Sequence, residues 1–166
     1  MRSRLLAFAL AGAIALLDRL TKLWVQAEVT LFDRHTVIPG FFDIVHTENR
    51  GMAFGLFHDV DGPLRHAVLI GAALAILVVV SRMLWRIPVP VPREQKLLRL
   101  ALALVLGGAF GNLYDRVFRG SVTDFLEMYV GRFHWPAFNI ADSAITLGAL
   151  LLLLDLLTRG RRAREH

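Results

Sequence analysis

The stretch "FNIADSAITLGALLLLLDLL", Phe138 to Leu157, joins two unlike halves. Its second half is a nearly unbroken apolar run. With the residues before it, the run has the length of a membrane helix, since roughly 20 residues cross about 30 Å of hydrocarbon. Its first half carries Asn139 and Asp142. Asn139 is a strong N-cap residue. Asp142, three positions on, occupies the capping-box place normally filled by Glu or Gln. A carboxylate in the first turn also complements the helix dipole. Taken alone, Asp142 reads as a cap on a membrane helix.

Working outward, the same pattern recurs. The chain has 166 residues, 55% of them hydrophobic, and a mean hydropathy of +0.53. Soluble domains run nearer about 45–50% apolar. Four spans are expected, at residues 5–25, 64–85, 97–112 and 139–157, the third being the shortest and open to extension into "LYDR". Backbone groups in lipid must be satisfied within the segment, so runs of this length should be helical. The N-terminal "MRSRLLAFALAGAIALL" resembles a signal peptide, but its apolar run continues past Ala11, Gly12 and Ala13, and an uncleaved first span is expected. The length suits one domain. The fold expected is therefore an all-α membrane protein, a single integral domain over 1–166. External loops would cover 26–63 and 113–138. "TVIPGFFDIVHTEN" in the first of these has the β-branched and aromatic content of strands, so a small extended or β-like element is expected there.

Net charge is +5. The basic residues flank apolar runs instead of forming a stripe interleaved with aromatics, which argues against nucleic acid. Arg2 and Arg4, the group Arg82, Arg86, Arg93, Lys96 and Arg99, and finally Arg159, Arg161, Arg162 and Arg164 fall on one side of a four-span chain. Positive charge marks the cytoplasmic side, so both termini should be cytoplasmic and the long loops external. "IPVPVPRE", Ile87 to Glu94, cannot be helical because proline interrupts it repeatedly. Cysteine is absent, which excludes disulfides, thiolate metal sites and a cysteine nucleophile.

Several polar residues sit where lipid would exclude them. Asp18 and Lys22 are spaced i, i+4 and can pair. Two readings stand: a helix-end pair with Lys22 snorkelling beside Trp24, or a buried pair facing the bundle. Gly107 and Gly111 make a GxxxG seam, which runs on into Asn112, Asp115 and Arg116. "TENRGMAFG", Thr47 to Gly55, places Asn49 and Arg50 before an apolar patch with Met52 and Phe54, and Gly51 and Gly55 mark turns.

Asp124, in "VTDF", and Asp142 approach the same outer boundary, one from a loop and one from a helix start. Two carboxylates in close contact share one proton. The ionised one can take a proton from water while the other protonates a carbonyl oxygen, which is general acid–base hydrolysis of an amide. Competing chemistries fit worse. No HExxH occurs among the histidines, so zinc is not expected. No GxSxG surrounds Ser121 or Ser143. No metal or other cofactor is expected. A small ion or solute carrier using Asp18, Lys22, Asp115 and Asp142 as a polar relay, and a structural membrane subunit in which Asp142 merely caps, remain as alternatives. No internal repeat favours the carrier.

Taken together, "DRLTK" (18–22), "NRGMAFG" (49–55), "GGAFGNLYDR" (107–116), "VTDF" (122–125) and "FNIADSAI" (138–145) resemble the bacterial lipoprotein signal peptidases, or signal peptidase II. These are aspartic proteases of the inner membrane, and the resemblance covers nearly the whole chain. It implies four spans, Asp124 and Asp142 as the catalytic pair near the periplasmic face, and Asn49, Gly51, Phe54, Asn112, Arg116 and Asn139 lining the site. Asp18, Lys22 and Asp115 match positions of structural importance. Arg19 stands where the family commonly has glutamine. The implied substrate is a prolipoprotein cut before a cysteine that already carries diacylglycerol, handled by a monomer among membrane lipids. The extended first-loop segment and the loop after Val122 would clasp it, with Phe54 and Trp135 as interfacial contacts.

Overall fold

A computed structural model of the protein describes residues 2–51 and 62–162. In chain order it contains α1 (Arg2–Glu28), β1 (Arg34–Ile38), β2 (Phe42–Asn49), α2 (Gly62–Arg86), α3 (Lys96–Arg119), β3 (Val122–Val130), β4 (Phe133–His134) and α4 (Ile140–Arg162). Met52, Phe54, Gly55 and most of "HDVDGP" lie outside the described residues.

Among the described residues three helices, α2, α3 and α4, are long and apolar enough to cross a membrane. At 27 residues α1 spans about 40 Å, but Asp18, Arg19 and Lys22 interrupt its apolar character. The helices are apolar outside and polar within. Leu5, Leu16, Leu20, Val78, Leu150 and Leu154 are exposed, whereas Asp18, Lys22, Asn112 and Asp115 are buried. That inversion suits a lipid solvent, which accepts leucine and rejects charge.

The central helix is α3, which packs on all three others. Its glycines set how closely. A Cβ on Gly107 would lie 2.7 Å from the Ala11 carbonyl oxygen, and one on Gly111 would lie 2.7 Å from Asp18 Oδ2. Toward α4, Gly108 abuts the Ala141 carbonyl, while Gly148 abuts Ala101 and Val105. The GxxxG pair is thus the α1–α3 seam, and a second small-residue seam joins α3 to α4. Val80 and Leu84 of α2 join Leu102 and Leu106 of α3 and Ala7 and Ala11 of α1 in an apolar cluster. Arg4 lies 5.1 Å over the Trp85 ring and reaches toward the Ile87 carbonyl. The start of α1, the end of α2 and the proline-rich linker therefore share one end of the bundle. In that linker 87–92 is non-helical, and Arg93–Gln95 forms one 3₁₀ turn leading into α3.

The expected third span, 97–112, is too short: α3 continues to Arg119. Its polar end survives as helix because neighbouring elements satisfy Asn112 and Asp115. It stops at Gly120, whose φ of +77° is left-handed and whose N–H bonds the Arg116 carbonyl.

At the opposite end lies an antiparallel sheet in the order β1-β2-β3-β4. The connection between α1 and α2 supplies β1 and β2, as expected of its composition, and that between α3 and α4 supplies β3 and β4, so Asp124 sits on a strand and not in a loop. Phe42 pairs with Met128 and Thr47 with Asp124, with a register shift between Ile44 and Thr47. Gly131 takes φ +60° at the β3–β4 turn, as the first central residue of a II′ hairpin requires. Val25 of α1, Val29 just after its end, Phe125 and Leu126 of β3, Ile44 of β2 and Ile140 of α4 form one cluster that fastens the sheet to the helices.

Candidate active site

Asp124 and Asp142 meet at the junction of sheet and bundle. Asp124 is carried by the first, fully buried stretch of β3, and Asp142 by the first turn of α4. The turn is a complete capping box. Asn139 Oδ1 accepts the Asp142 N–H at 2.9 Å, and Asp142 Oδ2 accepts the Asn139 N–H at 3.3 Å.

A chain of amides links the two carboxylates. Asn139 Nδ2 donates to Asp124 Oδ1 at 2.7 Å, and Asn112 Nδ2 donates to Asp142 Oδ1 at 2.7 Å. Asn139 Nδ2 also lies 3.3 Å from Asn112 Oδ1. From β2, Asn49 Nδ2 donates to Asp124 Oδ2 at 3.0 Å. Asn49 opposes Val122 in the ladder, so Asp124 is its diagonal neighbour on the same face. The whole sequence holds three asparagines, and all three bond this pair. Gly51, at φ +88°, turns the chain so that its N–H bonds Asn49 Oδ1 at 2.8 Å.

Burial, and then the Asp142 charge, push the Asp124 carboxyl up to about 7 against the Asn49 and Asn139 hydrogen bonds. Arg116 NH1 donates to the Asn112 carbonyl at 3.3 Å, and its charge faces Asp142, Asp124 and Asp115. Its Nε is buried and has no partner among the described residues.

Behind the pair lies an ion cluster. Lys22 Nζ is 2.7 Å from Asp18 Oδ2, 2.8 Å from Asp115 Oδ2 and 3.1 Å from Asn112 Oδ1. Three oxygens thus surround an ammonium with three protons. Lys22 is 0% exposed and Trp24 53%, so the snorkelling reading of Lys22 is wrong and the buried pair is right. Asp18 Oδ1 also accepts the Ala141 N–H at 2.9 Å, a second cap on α4 supplied from another helix. Arg19 reaches Asp115 Oδ1 at 3.4 Å and lies over the Tyr114 ring.

Some expected residues stand apart. Trp135 is exposed, and Phe54 lies outside the described residues. Other residues at the site carry no motif signal in the sequence. Thr47 Oγ1 donates to the Asp124 carbonyl at 3.1 Å. Glu48 accepts from Ser121 at 2.5 Å and Thr123 at 3.1 Å, and Arg119 stands 3.5 Å away. Burial raises the Glu48 carboxyl, but these donors outweigh it and hold it below its ordinary value. The signal that could have found them is the antiparallel register of "HTEN" against "VTDF". An apolar groove of about 540 Å³, lined by Phe8, Leu16, Leu77, Phe110 and Tyr114, runs between α1 and α2 and contains neither aspartate.

Known proteins resemble this chain over most of its length. The sequence model of the signal peptidase (SPase) II family matches residues 10–158. A lipoprotein signal peptidase of Solibacter usitatus is 46% identical over 160 residues, 95% of this chain and 93% of that protein. One of Alteromonas mediterranea is 41% identical over 162 residues, covering 97% and 86%. A bacterial membrane enzyme solved by the in meso method superposes with a TM-score of 0.78 at 27% identity, covering 92% of this chain and 87% of that one. Matched over nearly its whole length, the chain belongs to the signal peptidase II family.

Proposed function

We propose that the protein removes signal peptides from prolipoproteins as an aspartic endopeptidase, cutting before a cysteine that carries diacylglycerol. The observation that carries this reading is the pair of a buried Asp124 and a half-buried Asp142, held by all three asparagines of the chain. Asp142 receives two hydrogen bonds at a helix N-terminus, which fix its carboxyl group in place as the acceptor of a proton from water. Asp124, raised to about 7, is the proton carrier. Asp142 takes a proton from water, the hydroxide oxygen bonds the scissile carbonyl carbon, and Asp124 gives its proton to the carbonyl oxygen. Asp142 then delivers its proton to the leaving nitrogen as the C–N bond breaks, and the collapsing diol returns a proton to Asp124. The Arg116 guanidinium, whose charge faces both aspartates, steadies the negative charge of the pair.

The finer parts of the reading follow the same logic. All four helices span the bacterial inner membrane as one domain, with both termini cytoplasmic. The basic α2–α3 linker lies on the inner side and the sheet, with the pair, on the periplasmic side. The enzyme works as a monomer among lipids. Asn49, Gly51, Asn112, Arg116 and Asn139 line the site, with Phe54 at its rim. The carrier alternative is not favoured: Asp18, Lys22 and Asp115 form a sealed cluster, not a path.

The test is cleavage of a diacylglyceryl precursor by the purified protein in detergent. Asp124→Asn and Asp142→Asn should each lose at least about a thousandfold in turnover while keeping the wild-type helical content, in keeping with general acid–base contributions on the order of 10²–10⁴. Full activity in either variant rules out the pair, and no cleavage by the wild type rules out the peptidase.

A further inference from the structure

Each amide at the site has a fixed direction. An asparagine turns its NH₂ toward a carboxylate reliably when its own oxygen is held by a group that can only donate. For Asn49 that group is the Gly51 N–H, and for Asn139 it is the Asp142 N–H. Both are backbone donors, which no side-chain change removes. For Asn112 the nearer donor is a side chain from a different helix, the ammonium of Lys22 on α1 at 3.1 Å, with Asn139 Nδ2 farther off at 3.3 Å. Lys22 is completely buried in a bundle whose surface is leucine, a position that packing alone would give to an apolar residue. Asp18 and Asp115 hold its ammonium against Asn112, and Asp18 also bonds the Ala141 N–H. So α1 reaches the Asp142 turn by two routes.

We propose that Lys22 is a positioning residue for the aspartate pair: by occupying the Asn112 oxygen, it obliges the Asn112 NH₂ to face Asp142 and keeps that carboxylate in its water-activating form. Without the ammonium only the longer contact from Asn139 Nδ2 holds the Asn112 oxygen, and the amide can turn over and set an oxygen against Asp142. An oxygen opposite a carboxylate repels it, and Asp142 then takes up the proton it must lack. The other groups that face Asp142 are Asp124 from β3 and Arg116 from α3, with Asp18 and Asp115 behind Asn112. The inference rests on the peptidase reading above.

The test measures kcat and KM for the diacylglyceryl precursor from pH 5 to 9. Lys22→Met alone leaves the buried carboxylates Asp18 and Asp115 with Arg19 as their one cation and is prone to misfold. Lys22→Met/Asp115→Asn removes one charge of each sign and keeps the cluster balanced with Asp18 and Arg19. The double variant should lose at least tenfold in kcat with KM within about threefold, and its acid limb should move up by about one pH unit. Asp115→Asn alone should keep the wild-type limb, as should Lys22→Arg, which retains a donor. A folded double variant with the wild-type limb, or an Asp115→Asn limb displaced as far as that of the double variant, overturns the proposal. A second measurement needs no Lys22 variant. With ¹⁵N-asparagine the wild-type chain gives three side-chain NH₂ groups, assigned by single Asn→Asp changes. The Asn112 NH₂ should shift with the midpoint of the acid limb, and an Asn112 signal indifferent to that titration overturns the proposal. Failure of the wild type to cleave would instead refute the peptidase reading.

Discussion

The Asn139 side chain holds four groups at once: the Asp142 N–H through its oxygen, and Asp124, Asn112 and the Thr123 carbonyl through its nitrogen. Two of its duties can be separated. Asn139→Ser keeps a capping oxygen but no amide, whereas Asn139→Ala has neither. Losing the cap costs about 1 kcal/mol, so the alanine variant should melt below the serine variant, while both lose precursor cleavage. Melting curves in detergent, run beside the cleavage assay, check the split. Asp124 makes a second prediction. Its native carboxyl titrates near 7 against an ordinary 3.8, so the folded chain holds its proton more tightly than the unfolded one. Between about pH 4 and 7 the native state binds more protons, and stability falls as pH rises through that window. Asp124→Asn should therefore melt above the wild type at pH 8, and the gap should close toward pH 4. A gap that widens on acidification contradicts the raised value.

At the scale of elements, the seams around α3 dictate where side chains are tolerated. Gly108 abuts the Ala141 carbonyl in the turn that carries Asp142, whereas a Cβ on Gly71 of α2 meets nothing within 4 Å. Gly108→Val should cost about 1–3 kcal/mol through overpacking and displace the aspartate, abolishing cleavage. Gly71→Ala should be neutral or stabilising by up to about 1 kcal/mol through helix propensity. Unfolding titrations of the two variants test the contrast. Helix positions were legible because apolar runs of this length have one solution in lipid. The end of α3 was not, because Asn112 and Asp115 look like a helix terminus until Lys22 and Arg19, some 90 residues earlier, are seen to satisfy them. Strand β3 was missed for a related reason. The buried aspartate in "VTDFLEMYV" breaks the polar–apolar alternation, and its pairing with β2 is non-local. By contrast, the capping box at Asn139 and Asp142 is local and could be read directly.

For the whole molecule, the proposed topology puts Arg93 and Arg132 on opposite sides of the membrane. The chain has no cysteine, so single substitutions report without background. Arg132→Cys should react with an impermeant maleimide on spheroplasts, and Arg93→Cys only after the membrane is opened. The reverse pattern would invert the orientation. The pairing of the two aspartates from distant elements could not be read from either motif singly; it emerged from their sum and from the resemblance those motifs carry.

The site also draws on three of the four helices and two of the strands. Lys22 comes from α1, Asn49 from β2, Asn112 from α3, Asp124 from β3, Asn139 from the cap of α4 and Asp142 from its first turn. During synthesis α4 is threaded after α1, α2 and α3. Until then Asp124 lacks its amide from Asn139 and its partner carboxylate. On the proposed mechanism, a ribosome-bound intermediate with α4 still unmade lacks half of the hydrolytic pair.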